Sequence, residues 1–232
     1  MFKIDKDSIK EFFLKHQNKD VHYHTWEHCE SVAKRALMLA KLEGVSDEQD
    51  LLALELASYF HDIGYDIYKT EEENIFKATN LFLDYCSKVK KYNPKDLPPV
   101  AFSLIEATKY PHNEPNTLLE KIIQDADLTQ CWDWDAYDVA KYLRAEGRQV
   151  NFDPDFPSVN LLNTVSARRK QVEYQKIYKT RLLKELKNNA LCDVLTAYRE
   201  GYNQQVILQS LQSLELVNNL KASWASWGSE EK

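Results

Sequence analysis

Apolar residues recur at intervals of three and four along most of the chain, the spacing of a single helix face. Ile9, Phe12 and Phe13 open the pattern, with Asp7 or Ser8 placed to cap a first helix. Between Thr25, a fair N-cap, and Gly44, a fair stop, His28, Val32, Ala36 and Leu39 share one face. Ser46 with Gln49 three residues later reads as a capping box. The helix it introduces, through Leu51 to Phe60, is apolar on nearly every side. A helix is expected from about Asn74, with Ile75, Ala78, Leu81, Phe82 and Tyr85 inside. Pro99 suits the first turn of another, with Ala101, Leu104, Ile105 and Thr108 on its face. Asn116 is placed to cap a helix whose face carries Leu119, Ile122, Ile123 and Ala126. Further helices are expected over Trp134 to Glu146 and most of Ser158 to Ser223. Strand-like alternation is nearly absent, so the fold class is all-α, a single-domain helical bundle. Residues 1–20 read as an N-terminal helix on the core, 21–202 as the main domain, and 203–232 as a terminal helix and frayed tail.

Three of these faces carry residues that an apolar interior excludes. His28 lies on the second face, His61 and Asp62 directly follow Phe60, and Asp127 ends the face of Ala126. An unpaired carboxylate is costly to bury, and a metal ion or a hydrogen-bond network removes that cost. Neighbouring side chains on a helix diverge, so His61 and Asp62 can share an ion only close to the backbone. Gly64, two residues on, lets the chain turn away there. Two histidines and two carboxylates converging from separate helices make a mixed nitrogen and oxygen site. Such a set suits one divalent transition metal ion, Mn, Fe, Co, Ni or Zn, without selecting among them. Four protein ligands leave positions open for water and substrate on a five- or six-coordinate ion.

Composition narrows the class. The 232 residues carry 44% hydrophobic and 12% aromatic side chains, enough to bury a core. A net charge of -6 argues against long nucleic acid, which needs an extended basic track. Cys29, Cys86, Cys131 and Cys192 are scattered with no CxxC pair, which points to a reducing compartment and no zinc knuckle. The N-terminus lacks the apolar core of a signal peptide, and no run reaches membrane-spanning length, so a cytoplasmic protein is expected. Trp224 and Trp227 in the tail hint at a contact surface.

The ordered set H…HD…D on helices resembles the HD superfamily of metal-dependent phosphohydrolases. The finer resemblance is to its small subgroup of predicted metal-dependent HD phosphohydrolases. YHTWEH (Tyr23–His28) resembles that group's YHN-x-x-H, and FHDIGYD (Phe60–Asp66) its FHD-x-x-YD. IEATKYPH (Ile105–His112) resembles its I-x-x-T-x-x-H, and QDADL (Gln124–Leu128) its DADL. The likeness spans roughly Val21 to Tyr202 and implies an HD-type helical domain with metal ligation by His28, His61, Asp62 and Asp127. Where the group has Asn-Glu-Glu after the HD loop, this chain has Glu71-Glu72-Glu73-Asn74.

The expected activity is hydrolysis of a small phosphate ester, such as a nucleotide, by a metal-activated water. Asp62, Asp66 and Glu73 are the candidates for proton handling; Lys109, His112 and Arg169 are the candidates for phosphate contact. His24, one turn before His28, is a candidate for supporting the ligands from behind. Two other readings stand beside this one: a catalytically silent metal- or ligand-binding sensor, and an iron-dependent oxygenase. Di-iron HD enzymes generally use more histidines, and only His112 lies between the HD pair and Asp127.

Overall fold

The computed structural model describes residues 4–89, 98–133, 136–148 and 157–178, with Thr180, Lys184 and Asn188 beyond them. All regular structure among the described residues is helical. The elements are α1 (Lys6–His16), α2 (Trp26–Leu42), α3 (Glu48–Phe60), α4 (Glu71–Lys88), α5 (Pro98–Ala107), α6 (Leu118–Leu128) and α7 (Ala136–Ala145). Short 3-10 turns occur at Gln130–Trp132 and Val159–Leu161, and residues 165–178 are helical. None of these helices is long and apolar enough to cross a membrane. The terminal segment 203–232, with Trp224 and Trp227, lies outside the described residues.

Thr25 is the N-cap of α2 and Pro99 lies in the first turn of α5, as the sequence pointed to, but four other helix starts fall a residue or more away, because several short polar side chains compete at each. Asp5, not Asp7 or Ser8, caps α1 by accepting from Ser8 N. Asp47, not Ser46, caps α3 by accepting from Gln49 N and Asp50 N. Thr117, not Asn116, caps α6 in a box with Glu120. The fourth shift matters most: α4 begins at Glu71 rather than near Asn74, with Thr70 and Glu73 forming a capping box.

α3 is the hub. Every residue from Leu52 to Phe60 except Glu55 is buried. A helix apolar on all sides is stable only when enclosed, and α3 packs against α2, α4, α5 and α6. Aromatic contacts tie α1 and α4 to this centre. Phe13 meets Trp26 edge-on at 5.7 Å, Trp26 stacks on Tyr59 at 5.2 Å, and Phe60 meets Phe82 at 5.3 Å. Burying each such ring stabilises by about 1.5–3 kcal/mol.

At the end of α3 the chain turns sharply. Gly64 has φ +72°, and a Cβ there would lie 2.9 Å from the Lys77 side chain and 3.0 Å from that of Leu81, both on α4. The positive φ is what makes the turn need glycine; the two contacts are with the far ends of side chains that can shift. By its contacts the chain falls into two compact units, Met1–Val172 and Glu173–Lys232. The first holds α1 to α7 and everything described below.

Candidate metal centre

The site is built where α3 ends. The last carbonyls of a helix have no partner within it. His61, the C-cap of α3, satisfies one of them by donating from Nδ1 to Ser58 O at 2.8 Å. That bond places the ring hydrogen on Nδ1 and leaves Nε2 as a lone-pair donor facing inward. Asp62 follows as the chain leaves the helix, and its Oδ2 reaches 3.1 Å from His61 Nε2. The adjacent pair thus converges on one point close to the backbone.

α2 and α6 bring the remaining groups. His28 is fully buried, and its Nε2 lies 3.3 Å from His61 Nε2 and 3.2 Å from Asp62 Oδ2. Asp127, in the last turn of α6, places Oδ1 3.0 Å from His28 Nε2 and 3.6 Å from His61 Nε2. Arg35 joins the two helices beside these ligands. Its Nε donates to Ala126 O at 2.7 Å, one guanidinium nitrogen bonds Gln130 Oε1 at 2.5 Å, and the other pairs with Asp133.

The donor set fits a transition ion. Ligand bonds of about 2.0–2.2 Å span ligand edges of roughly 3–3.5 Å in tetrahedral or octahedral geometry. The spacings of 3.0–3.6 Å match those edges. His28, His61 and Asp62 offer ligand atoms that all lie within 4.8 Å of one another; Asp127 falls outside that mutual grouping and joins it through the two ring nitrogens alone. Two imidazole nitrogens facing each other with two carboxylates form a knot of lone pairs that calls for positive charge. The titration tendencies say the same. Burial works against charge on Asp62 and Asp127, yet the neighbouring histidines hold both carboxyls well below the usual range. Burial alone would lower His28 and His61, yet the two carboxylates raise both.

Other expected groups divide. His112 comes close: its titration is lowered by burial and feels the charges of Asp127 and His61. Its Nε2 is buried without a hydrogen-bond partner. Lys109 pairs with Glu72 at 2.6 Å and is partly exposed. Asp66 does not hydrogen-bond to the cluster; its Oδ1 accepts from Tyr68 N at 3.0 Å, organising its own turn. Glu73 is spent on helix capping, with Oε2 accepting from Thr70 N at 2.9 Å. Arg169 is exposed on the helix that opens at residue 165. The structure therefore gives Asp66 and Glu73 local backbone roles, and it gives Arg169 no contact with the cluster.

Several supporting residues carry no sequence signal of their own. Asn74 brackets the HD loop, accepting from Asp66 N at 3.0 Å and donating to Asp66 O at 3.1 Å. Gln124 holds the loop of Lys109 and His112 by donating to Ala107 O at 3.0 Å and Asn113 O at 3.1 Å. The end of α7 grips both ligand-bearing segments. Gly147, at φ +81°, and the bond from Arg148 N to Leu143 O at 3.0 Å make a Schellman ending. On either side of that glycine, Glu146 bonds the segment before α2 and Arg148 bonds Tyr65 and Glu71. Partners 83 and 122 residues away leave no local trace.

The family model for the HD domain matches residues 25–131. No curated protein and no solved structure matches the chain significantly. The matched segment opens at the N-cap of α2, ends just past Asp127, and so contains all four converging groups. The matched residues 25–131 carry an HD domain, and the all-α fold agrees with it, which supports membership of the HD superfamily.

Proposed function

We propose that the protein is a metal-dependent phosphohydrolase acting on a small phosphate ester, of which a nucleotide is one candidate. One observation carries this reading: the Nε2 atoms of His28 and His61 lie 3.3 Å apart, and each lies 3.0–3.6 Å from a carboxylate oxygen of Asp62 and of Asp127. His28, His61, Asp62 and Asp127 would hold one divalent ion. Such an ion lowers the pKa of a bound water toward neutrality and polarises a phosphoryl oxygen. His61 is turned to it by Ser58 O, and Asp127 by the α2–α6 contact at Arg35. His112, with its buried and unpartnered Nε2, is the group best placed to meet a phosphoryl oxygen. Lys109 would contribute charge once released from Glu72.

A second reading has its own observation. Glu71 bonds Tyr65 and Arg148, Glu72 bonds Lys109, and Glu73 caps α4, so each glutamate of this loop already has a protein partner. A sensor that binds a metal and a ligand without hydrolysis is consistent with that. Loading the protein with Mn, Fe, Co, Ni or Zn and screening phosphomonoesters and nucleotides for phosphate release separates the two. Release that stops on chelation and in Asp62→Ala supports the hydrolase. Silence with every ion across the panel sinks it and leaves the sensor.

A further inference from the structure

Glu146 is the most fully engaged carboxylate beside the centre that is not itself a ligand. Its side chain has no exposure. One oxygen, Oε1, accepts three backbone hydrogen bonds, from His22 N and Tyr23 N at 2.6 Å and from His24 N at 3.2 Å. The other, Oε2, faces His24 Nδ1 at 2.5 Å. The ring of His24 is held on further sides. It stacks on Tyr65 with centroids 3.7 Å apart and an interplanar angle of 8°, and it presents an edge to His28 at 6.2 Å. Tyr65 lies three residues past Asp62, and His24 is near enough to couple electrostatically to the Asp62 carboxylate.

These contacts decide where the ring hydrogen sits. Burial pushes the Glu146 carboxyl up, but the His24 bond and the backbone donors outweigh it and hold the group below its ordinary value. A carboxylate brings no hydrogen to a shared bond, so Nδ1 must supply it. In the neutral ring Nε2 is then a bare acceptor, and it makes no hydrogen bond among the described residues.

We propose that Glu146 is a positioning residue that locks His24 as the Nδ1–H tautomer and presents Nε2 to the metal centre as an acceptor, where it orients the attacking water. The lock stands on the contacts of Glu146 and His24 whatever the reaction; the role of Nε2 rests on the phosphohydrolase reading.

Glu146→Gln tests the lock with little change of shape. Its amide oxygen can keep the three backbone bonds, while its NH2 replaces Oε2 and donates to His24 Nδ1. The ring hydrogen must then move to Nε2, turning the acceptor into a donor. Ring nitrogen signals of the 15N-labelled, ion-free protein, assigned with His24→Ala, should show Nδ1 protonated in the wild type and Nε2 protonated in Glu146→Gln. With manganese loaded and p-nitrophenyl phosphate as probe, kcat should fall roughly tenfold to a hundredfold. KM should stay within about twofold and metal content should be unchanged, since the change is one of water orientation. The double variant His24→Ala/Glu146→Gln should be no slower than His24→Ala. A wild-type ring protonated at Nε2 overturns the lock. Inverted signals with unchanged kcat overturn the role of Nε2. If the wild type hydrolyses no phosphate ester, the hydrolase reading falls and takes the water with it, while the spectra still decide the lock.

Discussion

Asp125 and Asp127 sit two residues apart on α6 and meet opposite surroundings. Asp125 is fully buried and accepts from Asn163 N and Thr164 N, both at 2.7 Å, and from Asn163 Nδ2 at 3.2 Å. Asp127 faces the ring nitrogens of His28 and His61. Burial drives the Asp125 carboxyl above its ordinary value despite those donors, whereas the histidines hold Asp127 below its own. At Asp125 the N–H dipoles fall short of the burial penalty, while at Asp127 the neighbouring histidines exceed it. The first carboxylate is a finished joint between α6 and the segment leading into residue 165. The second shares its space with other lone pairs and is finished only by a cation.

Substitutions should pull this contrast apart. The largest effect belongs to the ligand side. Asp62→Ala should reduce turnover by at least about a thousandfold, or ~4 kcal/mol. Metal content should fall with it, while the melting temperature of the ion-free protein moves little. Asp125→Ala should do the reverse. It strands buried donors on Asn163 and Thr164, so denaturant melts should show a loss of about 3 kcal/mol. The metal bound per folded molecule should stay constant. If Asp125→Ala empties the metal site as Asp62→Ala does, the two carboxylates are not separable in the way drawn here.

Chelation acts on the Asp127 side alone. With free ion at about a hundredfold over its Kd, removing it should cost about 2.7 kcal/mol by linkage, read as a lower melting temperature. The Asp62→Ala variant should show no such shift. His112→Ala should keep the ion and lose about 2 kcal/mol of transition-state stabilisation, a fall in kcat/KM of roughly tenfold to a hundredfold. A variant that loses its metal instead would make His112 a ligand.

The smallest effect is one of pH. The Glu146 carboxyl is held below its ordinary value in the fold, so ionisation favours the folded state. That contribution is fully present above the unfolded glutamate pKa, near 4.3, and is lost as pH falls through the lower folded value. Wild-type stability should exceed that of Glu146→Gln by about 1 kcal/mol at neutral pH. The gap should close on acidification, and a gap that widens toward acid would contradict the assignment.

The parts of this design visible in the sequence are those that break an apolar period. His28, His61, Asp62 and Asp127 stood out because each interrupts or ends a greasy face, and the structure brings all four together. Gly64 was visible because a turn had to follow the HD pair, although its closeness to Lys77 and Leu81 was not. Asp125 was not visible, since a buried acid bonded to backbone N–H groups looks in sequence like any acid on a helix. Glu146 was read only as a helix end, because its partners at residues 22–24 are brought in by tertiary packing. Glu73 misled in the opposite direction, because a run of glutamates at a helix start serves capping as readily as catalysis.

The enclosure of α3 also bears on timing. Amides in so deeply enclosed a helix exchange with solvent only when the whole unit opens. The amides of α3 and of the turn that carries Asp62 should therefore be among the slowest of the unit to exchange. Unlike a small zinc domain that folds around its ion, this chain should complete the receptacle first and admit the ion afterwards. Loading would then follow the shedding of water by the incoming ion, on a clock separate from that of folding.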